Sequence, residues 1–409
     1  MRFFVESYGC TMNFGEGREL SETMASLGYT EAVSADDADI VVLNTCTVIG
    51  TTEKRMIDRI SELKKAGKEI VVTGCLAAAQ PRRIEIRLPG APIIPPRRYD
   101  SFKDTILDRY GVAGPPTEIR HTNDAILPIA QGCLGNCTYC ITKIARGGLK
   151  SYPPERLKEK FDAFVDSGVK EILVTAQDTA CYGRDTGTSL PGLLRKLLEK
   201  EGEYRLRIGM MNPNALRPIV DDLLDVMGDP RVYRFLHIPV QSGSDSVLRR
   251  MNRRTTAAEF EDLVARIRER MPDISIATDV ICGFPGETDD DHQSTIAMIR
   301  RLGLDTVNIT RFSPRPGTKA ADMEQVHGRI SHDRSVELTE VKNETELGVN
   351  SRLIGSRFRA LSTEKGKDGT ILRTDNYRPV VVRDDVPIGE FRDVEVTDAR
   401  STYLIGKLL

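Results

Sequence analysis

The run Cys133-Leu-Gly-Asn-Cys137-Thr-Tyr-Cys140 constrains this chain more than any other feature. It follows an apolar, strand-like segment at residues 126–131. Three thiolates this close can each hold one iron of a cubane cluster, leaving the fourth iron without a protein ligand. A structural zinc site wants four ligands, often as two separated pairs, and no second pair lies nearby. Cys10, Cys46 and Cys75 also end strand-like segments, in the runs Tyr-Gly-Cys, Asn-Thr-Cys and Thr-Gly-Cys. Parallel strands share one rim at their carboxyl ends, so these three can converge on one site. The competing reading is three unrelated core cysteines, since free Cys often serves only as a small buried residue. Cys181 and Cys282 match no ligand pattern and read as packing.

Eight cysteines in a secreted chain would suggest disulfides, but such scaffolds are usually short, and this chain has 409 residues. Its amino terminus lacks a charged-then-apolar leader, and no apolar run reaches the ~20 residues that span a bilayer. The chain is therefore expected to be cytoplasmic, with its cysteines used for metal or redox chemistry. Lys and Arg number 58 against 60 Asp and Glu, which excludes a polybasic nucleic-acid coat. A hydrophobic content of 40% excludes a disordered chain.

Residues 1–111 alternate strand-like segments (2–8, 40–44, 70–73) with helical ones (16–27, 53–65), which predicts a parallel α/β sheet covered by helices. Pro- and Gly-rich stretches at 89–96 and 111–116 mark a passage to a second domain, with the linker placed at 112–122. Across 123–347 six strand-like segments recur, at 126–131, 171–176, 205–211, 235–241, 274–282 and 306–312. Helical patterns between them predict a partial (β/α)6 barrel. Residues 350–409 carry short strand-like runs (353–361, 369–374, 379–382, 391–396, 402–409), which predict a small antiparallel β-barrel.

Gln177, Asn212, Gln241, Asp279 and Arg311 fall near carboxyl ends of the central strands, where barrel enzymes place their chemistry. The turn Gly283-Phe-Pro-Gly286 would let a ligand approach the backbone closely. Arg249, Arg250, Arg253 and Arg254, with Lys143, Arg146 and Lys150, are candidate RNA-backbone contacts, a solvated charged face being the alternative. Arg352, Arg357, Arg359 and Lys365 form a second basic track near the start of the terminal barrel. His237, inside a strand, reads as a satisfied core histidine.

Further runs complete the pattern: Gln177-Asp178 after a strand, IPVQSGSDSVLRRMNRR at 238–254, DVICGFPGET at 279–288 and FSPRPGT at 312–318. With the six cysteines in order, the whole chain resembles the methylthiotransferase family of radical S-adenosylmethionine enzymes. Residues 131–143, with Ala145–Gly147 and Ser151–Pro153, most resemble its archaeal and eukaryotic threonylcarbamoyladenosine branch. The resemblance implies a radical-generating 4Fe–4S cluster on Cys133, Cys137 and Cys140, and an auxiliary 4Fe–4S cluster on Cys10, Cys46 and Cys75. It implies S-adenosylmethionine as radical source and methyl donor, with Tyr139, Gln177, Asn212, Gln241, Asp279 and Gly283 as candidate contacts. The terminal barrel resembles the RNA-binding TRAM domain. The expected partners are tRNA and a low-potential electron donor, with no membrane and no DNA. The implied reaction places a methylthio group on C2 of N6-threonylcarbamoyladenosine at tRNA position 37, in tRNAs reading codons that begin with A. N6-isopentenyladenosine and a ribosomal-protein aspartate are the alternative substrates. A threonylcarbamoyl pocket must satisfy a carboxylate, so Arg311 and Arg315, with Arg357 on the terminal barrel, are the candidate substrate residues.

Overall fold

The computed structural model describes residues 1–119 and 123–409. The chain forms two compact units. The first joins the amino-terminal segment to Gln131–Lys150 and Ser313–Ala321. The second comprises Asn123–Ala130, Ser151–Phe312 and Asp322–Leu409.

The first unit is built on five parallel strands in the order Thr30–Glu31, Arg2–Ser7, Ile40–Thr45, Glu69–Thr73, Ile93–Ile94. Every residue of the central strand Ile40–Thr45 is buried, as a strand covered on both faces requires. Val41 and Leu43 pack one way, with Met56 and Ile60 of the helix Gly50–Lys65. Ile40 and Val42 pack the other way, with Leu20 and Met24 of the helix Thr11–Ser26. The Pro- and Gly-rich stretch 89–96, read as punctuation on the way to the second domain, supplies the edge strand Ile93–Ile94. The helix Phe102–Tyr110 follows and buries Phe102 and Ile106 in the same core. A two-residue strand is too short to show a period, and its flanking prolines read as punctuation. Within the linker expected at 112–122, residues 120–122 lie outside the described residues.

The second unit carries six parallel strands in two sheets. One has the order Arg205–Ile208, Glu171–Thr175, Asp124–Pro128, and the other Phe235–His237, Ser275–Cys282, Thr306–Arg311. Leu206 bridges Val232, just before Phe235–His237, and the Met211 N–H donates to the His237 carbonyl at 2.8 Å, which brings the two sheets together as a partial (β/α) barrel. Two of its helices, Ala257–Arg270 and Asp289–Leu302, begin with reciprocal capping boxes, Thr256 with Glu259 and Thr288 with Asp291.

The terminal strands close a five-stranded barrel in the order Arg357–Gly366, Gly369–Arg373, Pro379–Val382, Leu404–Leu408, Phe391–Ala399. Its first strand begins at Arg357, later than expected, because the 24-residue helix Gly328–Ser351 runs in first. That helix buries few large apolar side chains, Leu338 and Val341 among them, so its period is faint in the sequence. The barrel is fastened to the core rather than hung from it. Arg378 pairs with Asp305 and donates to Asn350, and the Tyr377 ring lies 4.8 Å from Tyr233 and 5.0 Å from Phe235.

Candidate functional site

Three adjacent parallel strands of the first unit run into the turns that carry Cys10, Cys46 and Cys75. Cys10 caps the helix Thr11–Ser26, Cys46 follows Ile40–Thr45, and Cys75 lies in the short helix Gly74–Ala79 after Glu69–Thr73. Gly9 makes the approach of the first two turns possible. Its φ is +108°, and a Cβ there would sit 2.7 Å from Cys46 Cβ and 2.8 Å from its Sγ. Asn13 ties the turns together: its Nδ2 donates to the Tyr8 carbonyl at 2.8 Å and the Thr45 carbonyl at 3.0 Å. Its Oδ1 accepts from Cys75 Sγ at 3.9 Å, and its own carbonyl accepts from Asn44 Nδ2 at 2.6 Å.

Two arginines distant in sequence reach this triad, and reading the sequence missed the role of both. Arg146, 2% exposed, forms a bidentate pair with the buried carboxylate of Glu16 and donates to Asn13 Oδ1 at 2.6 Å. Burial would push its guanidinium down, but Glu16 and then Cys75 outweigh it and hold it charged. Burial pushes the Cys75 thiol up to about 11, with Arg146 pulling against it. Arg315 pairs with the buried Glu53 and donates to Thr47, the residue after Cys46, at 3.3 Å. Burial lowers it, and Cys46 draws it back. The Nε atoms of both arginines are buried without hydrogen-bond partners. Buried donors of positive charge beside three thiols suit an anionic group held by those thiols.

The second triad occupies the loop before the helix Ile141–Arg146, which Cys140 caps. The Gly135 N–H donates to Cys133 Sγ at 3.1 Å, the Cys140 N–H to the Cys137 carbonyl at 3.2 Å, and Lys143 Nζ to the Cys133 carbonyl. The loop is partly exposed, while burial pushes the Cys140 thiol up. Among the described residues no three His, Cys, Asp or Glu gather as a single-ion site. A cubane makes a different demand, because each thiolate binds its own iron. Each triad offers three free thiols toward that demand. One six-residue helix, about 9 Å long at 1.5 Å per residue, connects Cys140 to Arg146 and hence to the other triad.

The remaining sequence candidates divide between the units. Tyr139 sits in the cysteine loop of the first. In the second, Asp279 Oδ1 accepts from His237 Nε2 and Asn308 Nδ2, both at 2.9 Å, forming a polar tier across three neighbouring strands. Gln241 holds φ +80°, uncommon for a residue with a side chain, between backbone bonds to Asp279 and Ile281. Asn212 caps the turn Pro213–Leu216, and its N–H donates to buried Asp178 at 3.1 Å. Gln177 is half-buried beside it. Gly283 does meet a close neighbour, but within the chain: a Cβ there would lie 2.1 Å from Ser331 Oγ.

Several basic candidates have internal partners. Arg146 and Arg315 are spent in the buried pairs above, so neither faces RNA or a substrate carboxylate. Arg250 pairs with Asp291 at 3.1 Å, Arg253 donates to the Pro239 carbonyl at 2.6 Å, and Lys150 reaches Asp100 at 3.4 Å. Arg249, Arg254 and Arg311 are exposed. Arg357 is exposed and lies 3.3 Å from Glu395.

Comparison with known proteins finds three families matched along the chain. Residues 127–310 match the radical SAM superfamily, residues 2–94 match "Uncharacterized protein family UPF0004", and residues 351–409 match the TRAM domain. The solved structure of the radical S-adenosylmethionine methyltransferase TsrM from Kitasatospora setae superposes with a TM-score of 0.58 over 78% of this chain and 76% of that one. At 13% identity that likeness concerns the fold alone. The probable threonylcarbamoyladenosine tRNA methylthiotransferase of Pyrococcus abyssi is 38% identical over 431 residues, covering 100% of both chains. The Homo sapiens threonylcarbamoyladenosine tRNA methylthiotransferase is 36% identical, covering 99% of this chain and 74% of its own. Full-length identity at this level, with three domains matched in order, shows that the chain belongs to the threonylcarbamoyladenosine tRNA methylthiotransferase family of radical S-adenosylmethionine enzymes.

Proposed function

We infer that this chain inserts a methylthio group at C2 of N6-threonylcarbamoyladenosine, at position 37 of tRNAs reading codons that begin with A. The observation that carries the reading is the pair of cysteine triads in one compact unit, joined through the helix Ile141–Arg146 and the buried contact of Arg146 with Glu16 and Asn13. The names of full-length relatives support the choice of substrate. Cys133, Cys137 and Cys140 hold the radical-generating 4Fe–4S cluster, and Cys10, Cys46 and Cys75 hold the auxiliary one. The clusters and S-adenosylmethionine, when bound, supply the radical, the sulfur and the methyl group.

The residues of the chain position and shield that chemistry. Arg146 and Arg315 offset the negative charge gathered on the auxiliary triad. Asn13 keeps the Cys10, Cys46 and Cys75 turns at fixed separation. Tyr139, Gln177, Asn212, Gln241, Asp279 and Gly283 remain the proposed S-adenosylmethionine contacts, Gly283 by its backbone. A low-potential donor outside this chain delivers the electron. Among the described residues no helix is long and apolar enough to cross a membrane, and we place the enzyme in the cytoplasm with its tRNA.

Anaerobic reconstitution tests this division of labour. The intact chain should bind about eight irons, in two clusters of four. Replacing Cys10, Cys46 and Cys75 together with Ala should halve the iron and end methylthiolation, yet leave 5′-deoxyadenosine formation largely intact. Replacing Cys133, Cys137 and Cys140 should also halve the iron but abolish 5′-deoxyadenosine. Equal loss of 5′-deoxyadenosine in both folded variants would remove the proposed roles.

A further inference from the structure

A cleft of about 290 Å³ lies between the amino-terminal halves of the core strands and the terminal barrel, which supplies much of its lining. His237 and Asn308, on its wall, are the two residues that bond Asp279, so the cavity adjoins the polar tier of the candidate site. Of the arginines lining it, Arg378 is taken by Asp305, and Arg373 lies 3.3 Å from Glu364. Arg207 differs. Among the described residues it has no ion pair or side-chain hydrogen bond; its half-buried guanidinium lies over two aromatic faces, 5.2 Å from the Phe235 centroid and 5.0 Å from that of Tyr377, and its charge is felt by the buried Glu171 carboxylate. Its Nε is buried without a hydrogen-bond partner. Ser275, 3% exposed, lines the same cavity, and its Oγ is likewise unpartnered. Glu171, the buried carboxylate of the neighbouring strand, is bonded to the Tyr233 hydroxyl at 2.9 Å.

A guanidinium without an ion pair, backed by aromatic rings and lining one cavity with an unpartnered hydroxyl, presents donors in a fork. A carboxylate matches that fork with two parallel hydrogen bonds. Burying the carboxylate is costly unless such a partner is supplied, so the site accepts the acid and disfavours an apolar arm. Arg311 offers no such setting, because an exposed cation in water discriminates weakly.

We propose that this cavity takes the carboxylate-bearing N6 arm of the substrate nucleoside, and that Arg207 is the specificity-determining residue that reads its carboxylate. The proposal rests on the threonylcarbamoyl substrate inferred above. Arg207→Met would keep apolar contact with the rings and remove the fork. Arg207→Lys would keep the charge without the fork.

The test compares reconstituted full-length enzyme and its Arg207→Met variant on two tRNAs, one carrying threonylcarbamoyladenosine and one with that carboxylate converted to the primary amide. Wild type should favour the acid by about tenfold or more in kcat/KM, the range of a charged hydrogen-bond partner. Arg207→Met should lose that factor on the acid alone, bringing the acid-to-amide ratio near one, and Arg207→Lys should fall between. A merely structural role would lower both substrates together and leave the ratio standing. Should Arg207→Met fail to bind its iron or to unfold cooperatively, Ser275→Ala carries the test, with a severalfold smaller acid-to-amide ratio expected. An active wild type whose ratio survives in a folded Arg207→Met, or in Ser275→Ala where that variant carries the test, overturns the role of this cavity and leaves the substrate assignment intact. A wild type inactive on the acid tRNA overturns the substrate assignment, and this proposal with it.

Discussion

Glu16 and Arg146 lie 130 residues apart in the sequence and form an ion pair with almost no access to water. Pairs like this gain little over an apolar pair of the same shape, but removing one member strands the other charge. Arg146→Met should therefore lower stability by about 3–5 kcal/mol, read from the urea midpoint of the metal-free chain. Adding Glu16→Leu should recover most of that loss. Glu346 allows a second prediction at this scale. Burial pushes its carboxyl up to about 7, while its Oε1 accepts the Val307 N–H at 2.7 Å. In the unfolded chain a glutamate titrates near ~4.3, so between that value and about 7 the folded chain binds more protons. The contribution of this group is thus favourable below ~4.3 and is lost as pH rises to about 7. Glu346→Gln should leave stability unchanged at pH 4 and raise it at pH 8 by about 1–2 kcal/mol after allowance for solvent screening. A larger gain at acid pH would contradict the sign.

The elements were legible where a long period or a spacing repeated. The three cysteines at strand ends and the six core strands followed from apolar runs and the residues that end them. The strand Ile93–Ile94 was not, because two residues carry no period, and the helix Gly328–Ser351 was not, because its buried face is sparse. Charge alone marks Arg146 as a phosphate contact and Arg315 as a substrate contact. Their partners, Glu16 and Glu53, come from other elements, and no local pattern announces a pair 130 or 262 residues apart. At the Gly9 turn the expected outcome is specific. Gly9→Ala forces a Cβ onto Cys46, so reconstituted iron should fall toward half while 5′-deoxyadenosine still forms. Full iron in that variant would show that the Cys10 turn tolerates displacement. Thr288→Ala removes the cap of the helix Asp289–Leu302 and should cost about 1 kcal/mol in a thermal melt.

For the whole molecule, the order of α/β sheet, partial barrel and terminal β-barrel was readable from changes in rhythm along the chain. The fastening of the terminal barrel to the core was not, since it depends on Tyr377, Arg378 and Asp305 meeting in space. Deleting that barrel would therefore damage the core, and point changes are the cleaner probe of RNA binding. Arg357→Glu should weaken tRNA binding and reduce the slope of log affinity against log salt by about one if it contacts a phosphate. Reconstituted enzyme should be given two tRNAs, one with N6-threonylcarbamoyladenosine and one with N6-isopentenyladenosine at position 37, and the digested nucleosides examined by mass spectrometry. The 2-methylthio product is expected from the threonylcarbamoyl tRNA alone; methylthiolation of only the isopentenyl tRNA would mean that the substrate is wrongly assigned.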